Sequence, residues 1–151
     1  MRNMLLTSAI ALSAALSSPA MARPMTEVDL ATLKRVAAPT ASPDGRWVVF
    51  QMTETEGGSY KRSTGLWLVD RNAKDTKPAP IADTAGKNET SPLFHKDGIL
   101  YFVSDASGKD QVWRIDPKVG GAATQVTDTA ADVAGFKISP DGAKLLAWGD
   151  I

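Results

Sequence analysis

Ser42-Pro43-Asp44-Gly45-Arg46-Trp47-Val48-Val49-Phe50 reads as a tight turn feeding a β-strand. Ser accepts at the first turn position, Pro presets φ at the second, Asp tolerates the third, and Gly takes the left-handed conformation that returns the chain. The run after the glycine is β-branched and aromatic, as strands are. It is almost continuously apolar instead of alternating, which implies burial on both faces.

The stretch recurs. His95-Lys96-Asp97-Gly98 precedes Ile99-Leu100-Tyr101-Phe102-Val103, and Ser139-Pro140-Asp141-Gly142 precedes Ala143-Lys144-Leu145-Leu146-Ala147-Trp148. Lys96 replaces proline in the second copy, and the turn should survive without it. A second element, Gly65-Leu66-Trp67-Leu68-Val69-Asp70, returns as Gln111-Val112-Trp113-Arg114-Ile115-Asp116. A third, Pro80-Ile81-Ala82-Asp83, returns as Gln125-Val126-Thr127-Asp128. Trp67 and Trp113 stand 46 positions apart, Ile81 and Val126 45. Residues 38–41, 90–94 and 134–138 supply a strand leading into each turn. Polar stretches at 54–64 and 105–110 separate the second strand from the third.

The sum is four antiparallel strands per period of about 45 residues, the signature of a propeller blade. An ordinary β-sandwich gives no reason for three motifs to recur in order. The expected fold is therefore an all-β propeller over 40–151, with blades at about 40–84, 88–129 and 133–151. The third blade stops after its second strand. A propeller needs typically 4–8 blades to close, and an open array exposes an apolar blade face and a bare strand edge. The sequence thus reads as part of a longer protein.

Upstream of the repeats, Thr26-Glu27-Val28-Asp29-Leu30-Ala31-Thr32-Leu33-Lys34-Arg35 predicts a short helix within a leader at 23–39. Thr26 caps it, Glu27 and Asp29 suit its positive end, Lys34 and Arg35 its negative end, and Pro39 closes it off. Further upstream, Arg2 gives a positive n-region and 4–16 an apolar stretch. Ala20-Met21-Ala22 forms a small-x-small cleavage site. This is a secretory signal peptide at 1–22, with cleavage expected after Ala22. The apolar stretch is short of the ~20 residues a spanning helix needs. The mature chain is expected outside the cytoplasm, in a bacterial periplasm or secreted, with no membrane segment after cleavage.

Charge and composition exclude several functions. The 17 basic and 17 acidic residues cancel, so nothing attracts a polyanion and nucleic acid is not an expected partner. The absence of cysteine removes a disulfide scaffold, a thiolate metal site and a cysteine nucleophile. His95 is the only histidine. It sits at a turn where the other copies have serine, without the partners a nucleophile–base–acid arrangement requires. No G-x-S-x-G elbow, H-E-x-x-H, C-x-x-C or phosphate-binding glycine loop occurs. Gly57-Gly58 and Gly120-Gly121 read as loop glycines. Asp70, Asp83, Asp116 and Asp128 recur with the repeat, which points to strand-end hydrogen bonding over metal ligation. Trp47, Trp67, Trp113 and Trp148 fall in strands and read as core. Asn88-Glu89-Thr90 fits a glycosylation sequon. No catalytic, cofactor-binding or metal-binding residue is assigned, and no cofactor is expected.

Taken together, an exported leader, the M-T-x-x-D-L segment at 25–30, Lys34-Arg35-Val36 and an immediate S-P-D-G-R-W-V-V-F blade resemble the start of prolyl oligopeptidase family serine peptidases. These include the dipeptidyl aminopeptidases and acylaminoacyl peptidases. Gly120-Gly121-Ala122 with Val126-Thr127, and the third S-P-D-G at 139–142, are similar too. The resemblance covers 25–151. It implies a peptide-hydrolysing enzyme in which a propeller screens a C-terminal α/β-hydrolase domain carrying a Ser-Asp-His triad. In some relatives acidic propeller residues hold the substrate's N-terminus, but no motif marks such a residue here. The triad-bearing half is absent from these 151 residues, which on their own should be inactive. The main alternative is a non-enzymatic protein-binding propeller of the Tol envelope type. Such proteins usually place an α/β domain before the first blade, where this chain has about fifteen residues. A propeller enzyme such as a lactonase would need inward-facing metal ligands that the sequence does not supply.

Overall fold

The computed structural model describes residues 23–56, 58–81 and 87–149. The expected signal peptide, Gly57 and Asp83 lie outside them. The elements are α1 (Glu27–Thr32), β1 (Arg35–Ala41), β2 (Trp47–Thr55), β3 (Arg62–Asp70), β4 (Ala79–Pro80), β5 (Glu89–Phe94), β6 (Leu100–Ser104), β7 (Gln111–Ile115), β8 (Thr124–Gln125), β9 (Gly135–Ile138) and β10 (Leu145–Trp148). They form two four-stranded antiparallel sheets, ordered β1-β2-β3-β4 and β5-β6-β7-β8, and a β9-β10 hairpin. Four strands per repeat, and two in the third, is the arrangement the sequence predicts.

The turns form as their residues dictate. Gly45, Gly98 and Gly142 donate N–H to the carbonyls of Ser42, His95 and Ser139, three positions back. All three glycines have positive φ, at 68°, 89° and 75°, which a side chain disfavours. The second turn is one residue shorter. Ser42 N–H reaches Trp47 O and Ser139 N–H reaches Lys144 O, but His95 N–H reaches Ile99 O. Trp47, Ile99 and Lys144 therefore occupy equivalent places.

That register explains the continuous apolar runs. Leu100 and Phe102 of β6 pack with Val49 and Leu66 of the first sheet. Tyr101 and Val103, between them, pack with Val133 and Phe136 on the way into the third. On β7, Ile115 faces the first sheet and Val112 the third. Successive side chains point to opposite faces, and β6 is buried along its whole length. Phe102 is fully enclosed, and burying a side chain of that size stabilises by about 1.5–3 kcal/mol. The counterparts of Tyr101 and Val103 on β10 are Leu146 and Trp148, which are 65% and 49% exposed.

Several boundaries differ from the sequence reading. The strand expected at 38–41 begins at Arg35, because Pro39 does not end the helix but sits inside β1. β1 bulges there: pairing shifts between Ala37 and Thr40, and Ala38, with φ 46°, absorbs the extra residue. The helix ends at Thr32 with Leu33 as C-cap. Lys34 therefore serves no helix end and instead pairs with Glu54 at 2.6 Å. Thr26 does cap α1, through a reciprocal box with Asp29. The helix buries no residue. The loop expected at 54–64 shrinks because Thr53 to Thr55 pair with Thr64 to Arg62.

The tryptophans do not share one role. Trp67 and Trp113 are equivalent, lying opposite Phe50 and Phe102. Trp47 corresponds to Ile99, and Trp148 to Val103, so the repeat spacing holds for one pair alone. Trp113 is half-buried and donates Nε1–H to Ser104 O at 3.2 Å. Trp148 is half-exposed and lies over Gly135, where a Cβ would come within 2.5 Å of its ring.

Candidate functional site

Antiparallel pairing sorts the polar residues onto two rims. The S-P-D-G turns and the ends of β3 and β7 share one rim; the β2–β3 and β6–β7 hairpins and the β8–β9 connection share the other.

The first rim is held by carboxylates used as braces. Ser42 Oγ donates to Asp44 Oδ1 at 2.5 Å and accepts Trp47 N–H at 2.9 Å. Ser139 repeats both bonds with Asp141 and Lys144. The Ser42 hydroxyl, then the Arg46 amide, hold the Asp44 carboxyl below the usual range. Arg46 grips Asp70 through Nε and Nη2 at 2.8–3.3 Å and stacks on Trp47 at 4.5 Å. Asp70 Oδ1 accepts Asn72 N–H and Asp116 Oδ1 accepts Lys118 N–H. These two aspartates thus close the following turn, as their recurrence suggests; Asp128 is exposed. Lys118 reaches Asp44 across the seam at 3.7 Å. His95 is enclosed at the same rim, with Nδ1 3.1 Å from Asp97 Oδ1.

The seams contain buried polar groups. Glu89 Oε2 accepts Leu66 N–H at 2.9 Å. The equivalent amide in the second sheet, Val112 N–H, is taken by Thr127 Oγ1. In the first sheet a carboxylate thus takes the place of the threonine hydroxyl. Asn88 Oδ1 accepts Thr64 N–H, and its Nδ2 donates to Asp105. The sequon asparagine is thereby committed to holding two sheets together. Gln111 binds the inter-sheet connection. Its Oε1 accepts from Thr127 Oγ1 and Thr129 N–H, and its Nε2 donates to the carbonyls of Thr129 and Ala131.

On the second rim a cleft of about 350 Å³ is lined by Lys109, Asp110 and residues 130–134. Burial, then the charges of Asp132 and Asp105, push the Asp110 carboxyl up. Lys109 Nζ is occupied by Ala130 O at 2.6 Å. The cleft holds no nucleophile–base pair. Among the described residues no group of three or more His, Asp or Glu side chains could hold a metal, and no helix is long and apolar enough to cross a membrane.

No family profile matches the chain. It is 25% identical over 127 residues to the uncharacterized peptidase YuxL of Bacillus subtilis (strain 168), an overlap of 83% of this chain and 19% of that protein. Its fold matches the Pyrococcus horikoshii acylaminoacyl peptidase with a TM-score of 0.62 at 17% identity, over 82% of this chain and 18% of that one. The isopeptidase AtxE2, with Astexin3 bound, matches with a TM-score of 0.57 at 20% identity, over 76% of this chain and 22% of that one. The chain therefore spans about one fifth of the length of the proteins it resembles.

Proposed function

We propose, for a chain related over four fifths of its length to a piece of prolyl oligopeptidase family peptidases, that it is the N-terminal propeller portion of an exported serine peptidase acting on short peptides. The propeller gates access to a C-terminal α/β-hydrolase domain, which supplies the Ser-Asp-His triad and contacts the propeller in cis. The observation that carries this reading is the match to a curated peptidase over 127 residues. The fold likeness to an acylaminoacyl peptidase supports it. The exposed apolar pair Leu146 and Trp148 supports it too, because their counterparts in the second sheet are covered by the next blade. The signal-like leader supports export to a periplasm or beyond.

The test is direct. The whole reading frame is expressed and assayed on chromogenic aminoacyl and dipeptidyl substrates, with and without an active-site serine reagent. Reagent-sensitive hydrolysis by the full protein, and none by residues 23–151 alone, is expected. Activity in the short chain would overturn the division of labour. No hydrolysis of any short peptide by the full protein would overturn the peptidase assignment.

A further inference from the structure

An Asp-Gly pair closes each of the three turns, at 44–45, 97–98 and 141–142. The pair is chemically weak. The side-chain carboxyl carbon of an aspartate can close a five-membered ring with the amide nitrogen of the next residue, and a glycine there has no side chain to hinder the approach. Two restraints on that reaction are common to all three turns. The amides of Gly45, Gly98 and Gly142 are engaged by carbonyls at 2.8–2.9 Å. Oδ1 of Asp44, Asp97 and Asp141 accepts the amide two residues on at 3.0–3.1 Å.

A third restraint is not shared. Ser42 and Ser139 each donate Oγ–H to their own turn's aspartate at 2.5 Å. His95 stands at that place in the second turn. Its Nδ1 lies 3.1 Å from Asp97 Oδ1 without the alignment of a hydrogen bond. The serine bond fixes the rotation of the carboxyl and favours its ionised form, which has no hydroxyl to lose. It is the largest influence lowering Asp44 and Asp141. For Asp97 the largest influence is burial, which opposes ionisation, although the Ile99 amide and His95 still hold the carboxyl below the usual range. The Asp97 side chain is also 52% exposed, which leaves it room to turn. The three turns are thus an internal comparison: one dipeptide in three copies, with the serine bond missing from one.

We propose that Asp97-Gly98 is a site of spontaneous backbone modification, at which this chain acquires an isoaspartyl linkage ahead of its other two Asp-Gly turns. The Gly98 nitrogen attacks Asp97 Cγ. The N–Cγ bond forms, the Cγ–OH bond of the protonated carboxyl breaks, and the hydroxyl and the amide hydrogen leave as one water. One water then adds back to the succinimide. Opening at the α-carbonyl leaves the main chain running through the side-chain carbons, with the mass unchanged and no co-reactant consumed. The turn gains a methylene in its backbone. The two bonds that close it, Gly98 N–H to His95 O and His95 N–H to Ile99 O, lose their register, and the first rim loosens at the second sheet.

The full-length protein, aged at neutral pH and mapped by mass spectrometry over 36–46, 93–104 and 136–148, tests this. An isoaspartyl peptide keeps its mass and shifts its elution. Asp97 should rearrange about fivefold faster than Asp44 or Asp141, the factor that one net hydrogen bond is worth. In urea, where the turns are lost, the three rates should converge. Ser139→Ala should raise Asp141 to the rate of Asp97 and leave Asp44 and Asp97 unchanged. Equal rates at the three turns of the folded parent, a difference that persists in urea, or an unchanged Asp141 rate in folded Ser139→Ala would overturn the proposal.

Discussion

Replacing Gln111 with leucine removes the side chain that fastens the connection between the second and third sheets. Gln111 is 1% exposed. Its amide satisfies Thr129 N–H at 3.0 Å, Thr127 Oγ1 at 2.8 Å, and the carbonyls of Thr129 and Ala131 at 3.3 Å each. Each such bond is worth about 1 kcal/mol net, and a buried group left unsatisfied costs about 1–3 kcal/mol. Thr129 is exposed and Ala131 half-buried, so water recovers part of the loss, and Gln111→Leu should destabilise by about 2–3 kcal/mol. Gln111→Glu sharpens the test. It keeps the acceptor for Thr127 and Thr129 but turns an oxygen on the two carbonyls. Burial favours the neutral form of that carboxyl, so the penalty is present at neutral pH and shrinks as pH falls through the carboxylate range, where the protonated acid again donates. Urea unfolding followed by tryptophan fluorescence reads both variants. A Leu variant within about 0.5 kcal/mol of the parent, or a Glu deficit that does not shrink in acid, would refute the hub role.

Other substitutions probe the same framework. Asp110→Asn should stabilise near pH 7, by no more than the roughly 0.5 kcal/mol usual for substitutions away from the core. Burial and its acidic neighbours raise the Asp110 carboxyl, so ionisation opposes folding and the gain should vanish as pH falls through the carboxylate range; Tm against pH measures it. Gly135→Ala should cost about 1–3 kcal/mol because its Cβ would meet Trp148 Cζ2 at 2.5 Å, and adding Trp148→Ala should return most of that in a denaturation series. Ser42→Ala should cost about 1 kcal/mol by orphaning Trp47 N–H, read in the same unfolding assay. N-terminal sequencing of protein exported from a bacterial host should begin at Arg23.

Much of the fold was legible because the repeat is stated in residues whose chemistry is local. Ser42 and Ser139, Asp44 and Asp141, and the three turn glycines act within four positions of one another, and the structure places them as read. The strand lengths were less legible. Thr53 to Thr55 are polar, yet they extend β2 because Arg62 to Thr64 lie opposite and a Thr53–Thr64 hydroxyl pair joins the two strands. The bulges in β1 and β5 had a signal that the turn-centred reading passed over. Pro39 stands three positions before Ser42, and Pro92 three before His95. In each strand the residue before the proline, Ala38 or Ser91, has positive φ at the same point of the register. The seam contacts of Glu89, Asn88 and Gln111 carried no legible signal, because each depends on an amide more than fifteen positions away.

This division bears on where function is to be sought in a repeat protein. Residues that recur in every copy are those each sheet needs to form, so recurrence marks scaffolding. That logic moved Asp70 and Asp116 from candidate ligands to turn closures, and their hydrogen bonds to Asn72 and Lys118 agree. Departures from the repeat carry the residual information. Glu89 is one, and its carboxylate takes the Leu66 amide. Gln111 is another, standing where the first sheet has Gly65, and it anchors a connection. His95 is the third. It replaces a serine that closes its turn unaided and directs a titratable ring at the neighbouring turn, where Gly142 leaves room for it. Of the three, it alone leaves its enclosed polar atoms without an aligned hydrogen bond, so residual function is to be sought at that seam.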